Sequence, residues 1–377
     1  MRIFILLLAF FGLVGCEDQR SEGTGTKTNV YLNKARQGEP IDQLKLGVMY
    51  ERGDGVVQDY KQAIYWYRKA AEQGNADAQF NLGLMIAKGR GVDKNFIEAA
   101  KWYRKAAEQG HVKSQNSLGI MYEEGEGVPQ DHTQSVYWYR NAAEQGYAKS
   151  QDKLGLLYLH GDGVPQFDTQ AIYWFRKAAE QGYARSQNNL GYMYALGKGV
   201  SKNDTEAAYW YRKSAERGDP LGQSNIGHMY YAGLGVPQDD AKAAYWFKKG
   251  AEQGGAGAQS NLGLMYYHGR GVPQDDAKAA YWFKKAAEQG GASAQGNLGL
   301  MYYHGKGVPQ NYPQALYWYS KAAEQGDASA QNNLGVLYEE GKGVAQDDKQ
   351  AVYWYRKAAA QGHRVAKRSL DSILGKR

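Results

Sequence analysis

The chain of 377 residues has one cysteine, Cys16, and only eight prolines. A lone thiol excludes an intramolecular disulfide framework and any multi-cysteine zinc or iron–sulfur site within one chain. So few prolines exclude a collagen-like chain or a proline-rich spacer. The one marked apolar run, at the N-terminus, falls short of the roughly 20 residues that a bilayer-spanning helix needs. What the chain has in excess is glycine, 48 residues of 377, about twice an average share of roughly 7%. Its 9 Trp and 31 Tyr supply enough apolar surface to exclude wholesale disorder. A net charge of +7 and a pI near 9.0 leave anionic partners open.

The first sixteen residues, MRIFILLLAFFGLVGC, combine Arg2 with a short apolar stretch and read as an export signal. Leu13-Val14-Gly15-Cys16 resembles the lipobox of bacterial lipoprotein signal peptides. That resemblance implies cleavage before Cys16, acylation of its thiol and amine, and stable anchoring on a membrane. The expected organisation is a signal peptide at 1–15, the lipidated Cys16 with a polar tether at 16–29, a repeat domain at 30–369 and a tail at 370–377. The expected location is the bacterial cell envelope, facing the periplasm. Glu17 and Asp18 follow the cysteine directly, and the choice between inner and outer membrane stays open.

Beyond the tether the sequence repeats every 36 residues without insertion or deletion. Leu46, Leu82, Leu118, Leu154, Leu190, Ile226, Leu262, Leu298 and Leu334 occupy one column, each followed by Gly. All nine tryptophans, from Trp66 to Trp354, occupy another. Each repeat holds two helical stretches. In the first, Ala78, Leu82, Met85 and Ile86 share one face, and Gly89 supplies a left-handed stop. A Gly-x-Gly-Val loop leads to a column of Asp or Asn, including Asp59, Asn95 and Asp131, placed to cap the second helix. Phe167 interrupts that column, with Asp168 as an alternative cap. The second helix, 60–73 in the first repeat, buries Ala63, Trp66, Tyr67, Ala70 and Ala71. Gly83 and Ala71 allow close helix approach, and the tryptophan is expected to fill the gap beside them. A single helix pair cannot bury its own face, so stacked neighbours complete the core. The fold class is all-α, an α/α solenoid of about nine helix pairs.

The pattern Ala258, Leu262-Gly263, Tyr266, Gly269, Gly271-Val272, Ala279, Trp282-Phe283, Lys285-Ala286-Ala287 and Gly290 resembles the Sel-one-like repeat, a relative of the tetratricopeptide repeat. The resemblance covers about 46–369. It implies an α/α superhelix that scaffolds protein complexes, often exported in bacteria and in some cases linked to signalling, envelope functions or host interaction. A cysteine-rich branch of that family carries a disulfide in each repeat and is associated with β-lactams. This chain lacks those cysteines, so that activity is not carried over.

Catalytic and metal chemistry find little support in the residue pattern. His160, His268 and His304 share a column, but neighbours one repeat apart stand roughly 10 Å from each other, too far to share a metal ion. His111 and His363 fall in turns, His132 begins a helix, and His228 replaces a leucine-type residue. None sits in a triad arrangement. Gly-x-Gly joins two helices rather than following a strand, which argues against a phosphate loop. No cofactor is expected. Dibasic pairs such as Arg68-Lys69 and Lys284-Lys285 recur with Glu at i+3 or i+4 and read as a solvated face. Export removes most reason to expect a nucleic-acid partner.

The informative surface is on the first helices. In related helix-pair repeats they line the concave wall. Asn81, Asn189, Asn225, Asn261, Asn297 and Asn333 form an asparagine ladder beside Leu84, Tyr192, His228, Leu264 and Leu300, with Tyr231, Tyr267 and Tyr303 nearby. Asparagine could hydrogen-bond an extended peptide backbone while Leu and Tyr pack its side chains; the same ladder could instead fix contacts between repeats. The functional expectation is a lipid-anchored adaptor for an unidentified protein or peptide, without catalysis and with its oligomeric state open. The alternatives are an envelope hydrolase acting on β-lactam or peptidoglycan, and a cell-wall glycan binder using the tyrosine and asparagine columns.

Overall fold

The structure, a computed structural model, describes residues 31–375. The signal peptide, Cys16 and the tether therefore lie outside the described residues. From Pro40–Arg52 to Asp348–Ala360 every helix has 13 residues, in alternating leading and trailing helices, and Arg364–Gly375 follows. No strand occurs among the described residues. The fold is the all-α solenoid of helix pairs that the period of 36 predicts. Contacts divide the chain after Gln166 into two compact blocks, Met1–Gln166 and Phe167–Arg377.

Local chemistry sets the helix limits. The side chains of Asp59, Asn95 and Asp131 in the first block, and of Asn203, Asp239, Asp275, Asn311 and Asp347 in the second, accept the free N–H groups of the trailing helices. At Phe167 the backbone takes the same extended cap conformation, but no side chain accepts, and Asp168 is the first helical residue rather than a substitute cap. His111 and His363 prove to be caps as well. Their Nδ1 atoms accept the N–H of Ser114 and of Ala366, each at 3.2 Å. Leading helices end on a left-handed glycine, such as Gly89 at φ +66.

Close packing follows from the Leu-Gly pair, with one correction to the sequence reading. The ring lying on the glycine is not the tryptophan but the residue after it. A Cβ on Gly83 would stand 2.9 Å from the Tyr103 ring. Tyr67 and Tyr139 in the first block, and Phe247, Phe283 and Tyr319 in the second, are fully buried in the same way. The tryptophan is turned by one helical step toward the preceding repeat. Trp66 packs with Ala35 and Leu46, and Trp318 with Phe283 and Ala287.

A second device went unread in the sequence. Gln79 is buried in its leading helix; its Nε2 donates to the Ala71 carbonyl at the end of the preceding trailing helix (3.0 Å), and its Oε1 accepts from Gln109 at 2.8 Å. One amide thus joins three helices across a repeat boundary. The same arrangement recurs at Gln115 with Gln145 in the first block, and at Gln259 with Gln289 and Gln295 with Gln325 in the second. It breaks in the repeat containing Gln187. Arg217 stands where glutamine is found elsewhere and lies against Gly182, and the buried Gln187 Oε1 is left without a hydrogen-bond partner.

Candidate functional site

The leading helices Ala184–Leu196, Pro220–Ala232 and Ala256–His268 approach one another in succession within the second block, making a continuous wall. On this wall Asn189, Asn225, Asn261, Asn297 and Asn333 are half-buried, as is Asn81 in the first block. Leu84, Leu264 and Leu300 are half-buried too, whereas Tyr192 and His228 are exposed. The ladder is not uniform in its bonding. Asn225 donates to Asn188 of the preceding repeat at 2.8 Å, so part of it ties repeats together. Asn333 accepts from Asn332 at 3.2 Å and hydrogen-bonds the Tyr319 hydroxyl.

The expected columns converge at one place. Leu300, Tyr303, His304, Tyr319, Asn333 and Val336 line a cavity of about 100 Å³ between two successive repeats. Burial pushes the Tyr319 hydroxyl well above its ordinary pKa, so at neutral pH it is a neutral donor and acceptor. The rim carries charge. Lys342 Nζ lies 3.1 Å from the Tyr303 hydroxyl and 2.9 Å from Glu340, and Tyr303 donates to Glu340 at 3.0 Å. The hydrogen bond from Lys342 holds the Glu340 carboxyl below the usual range. Equivalent pairs stand one and two repeats earlier: Lys306 Nζ is 3.3 Å from the Tyr267 hydroxyl, and the Arg270 guanidinium lies 4.1 Å over the Tyr231 ring. Arg270 is fixed in turn by both oxygens of Asp240, at 2.9 and 3.0 Å.

His160, His268 and His304 are exposed at the ends of three leading helices. Among the described residues no group of His, Cys, Asp and Glu could hold a metal ion, and no helix is long and apolar enough to cross a membrane. From Gly91 to Gly343 the second glycine of the Gly-x-Gly loop is a packing residue. A Cβ on Gly91 (φ +73) would stand 2.7 Å from the Tyr60 backbone in the preceding trailing helix. One surface escaped sequence reasoning: the residue before each tryptophan is an exposed tyrosine in eight repeats and Lys101 in the ninth. The signal for it was in the sequence, as a column beside the tryptophans.

Comparison with known proteins agrees with this architecture. The Sel1 repeat pattern matches nine consecutive segments, from 40–75 to 328–363. The crystal structure of c5321, described as a protective antigen present in uropathogenic Escherichia coli strains and displaying an SLR fold, is 41% identical. The match covers 92% of this chain and 82% of that one, with a TM-score of 0.75. A Sel1 repeat protein from Oxalobacter formigenes is 36% identical over 82% of this chain and 90% of its own, with a TM-score of 0.61. No curated protein matches. Nine contiguous repeats and two relatives aligned over most of their length show that the chain belongs to the Sel1-repeat family, whose members are scaffolds for protein–protein interaction.

Proposed function

We propose that this scaffold is held on a bacterial envelope membrane through acylated Cys16, faces the periplasm, and grips a segment of a partner protein on its leading-helix wall around 300–336. The observation that carries the reading is the convergence of Leu300, Tyr303, Asn333 and Tyr319 on one cavity. An apolar floor with neutral hydrogen-bonding groups and a charged rim suits an extended peptide. A side chain enters the cavity while its backbone meets Asn333. A role in envelope signalling or at the host surface fits the similarity to c5321, which is described as a protective antigen of uropathogenic strains. Adaptor action of this kind includes no catalytic step.

A photo-crosslinking residue at position 300 in intact cells tests the site. Capture of one partner is expected, and capture should vanish when Asn333→Ala is added while the helical circular dichroism stays unchanged. The same yield from a crosslinker at half-buried position 84, the equivalent place in the first block, would rule out the cavity as the site. Fatty-acid labelling that persists in Cys16→Ser would remove the anchor.

A further inference from the structure

The trailing helices of the second block present a repeated aromatic and cationic surface. Tyr173, Tyr209, Tyr245, Tyr281, Tyr317 and Tyr353 are 41–54% exposed. Each meets the following tryptophan edge to face, with centroids 4.8–5.1 Å apart, so the ring is held rigidly. The lysine four residues on lies over each ring, at 5.8 Å for both Lys249 and Lys285. In Asp240–Glu252 and Asp276–Glu288 a second cation precedes that lysine and reaches its own glutamate only at long range: Lys248 to Glu252 at 3.9 Å and Lys284 to Glu288 at 4.0 Å. Four of these helices therefore offer one open ring, two cations and one carboxylate; Ser320 replaces the first cation in Tyr312–Glu324, and Ala360 replaces the carboxylate in Asp348–Ala360.

Folding does not require the tyrosine. In the first block Lys101 takes its place, and the helix Phe96–Glu108 keeps Tyr103 buried and its length unchanged. An exposed aromatic kept at every repeat of the second block, where a lysine suffices structurally, marks a contact surface. The excess of positive charge calls for an anionic partner, and the regular spacing calls for a regular one. Two cations per repeat, in five of the six, at a spacing of roughly 8–10 Å give about one per sugar ring of a uronate polymer. A single nucleic-acid strand is denser, with one charge per about 3.4 Å.

We infer that the tyrosine–lysine ridge of the trailing helices in 167–377 binds an anionic polysaccharide, with sugar faces packed on the tyrosines and carboxylates on the lysines. This surface is separate from the leading-helix cavity, and the inference stands without the peptide reading.

The full chain is titrated with polygalacturonate oligomers, neutral dextran and oligo(dT), and compared with the double variant Tyr245→Lys/Tyr281→Lys, which copies the arrangement at Lys101. Saturable, salt-sensitive binding of polygalacturonate is expected, with none of dextran. The double variant should bind about tenfold more weakly although its charge is higher. Equal or tighter binding by the variant, with an unchanged melting temperature, would mean simple charge attraction and overturn the inference. So would absence of saturable polygalacturonate binding, or tyrosine-dependent oligo(dT) binding of equal strength. A variant that fails to fold is replaced by Lys249→Gln/Lys285→Gln, which should lose affinity and flatten the salt dependence; retention of both would equally overturn it.

Discussion

Single side chains decide much of how neighbouring repeats hold together. A buried amide oxygen without a partner costs roughly 1–3 kcal/mol, and Gln187 Oε1 is in that position because Arg217 replaces the glutamine that bonds it elsewhere. Arg217→Gln should therefore stabilise the fold by about 1 kcal/mol, read as a higher midpoint in urea unfolding. His111 makes stability depend on pH. Its Nδ1 must be unprotonated to accept the Ser114 N–H, and burial lowers its pKa below the ordinary 6.5, against the opposing pull of Asp77 at 3.3 Å. The folded state then binds a proton less readily than the unfolded chain. The stability contributed by His111 is present above about pH 6.5 and is lost as pH falls through the lower folded value. His111→Asn keeps a capping acceptor that does not titrate, so the melting temperature of the wild type should fall more steeply than the variant's between neutral and acid pH. Neither glutamine nor histidine gave this away in the sequence. Glutamine reads as a surface residue until its partners are known, and the cap role of His111 depends on a turn geometry that residue type does not specify.

At the level of the helix, most of the structure was legible, because period, caps and stops are written in residue types that have few other uses. The Asp and Asn column and the left-handed glycines stand where the pattern puts them. The exception is as informative as the rule. Phe167 has φ −151 and ψ 93, close to the −153 and 101 of the capping Asp131, yet offers no acceptor. Phe167→Asp should add about 1 kcal/mol, visible as slower hydrogen exchange in the first turn of Asp168–Glu180. The error over which aromatic ring covers the glycine arose at this level too. Trp102 and Tyr103 are adjacent on one helical face, and the period cannot tell which of them meets the helix of its own repeat and which the repeat before. The asparagine ladder failed to declare itself for a related reason: Asn225 bonds another repeat, while Asn333 faces a cavity, from identical places in the pattern.

For the whole chain, stability rests on nearest-neighbour contacts, so the last element carries unusual weight. Arg364–Gly375 lays Ala366, Leu370 and Ile373 over Val352 and Tyr355. Removing it should open that apolar face, lower the melting temperature and produce concentration-dependent association in light scattering, whereas the same deletion with Val352→Thr and Tyr355→Lys should lessen the association. The junctions between repeats carry a further implication. From Gly91 to Gly343 the second loop glycine rests on the opening backbone of the preceding trailing helix, Gly91 on Tyr60 and Gly271 on Asp240. This loop contact recurs at each of these junctions, so losing or copying a 36-residue segment leaves it in place at the new edges. Residues 235–249 and 271–285 are identical, as a recent copying event would leave them. Inheritance can thus lengthen or shorten this protein in whole steps, changing how far it reaches without having to invent a new fold.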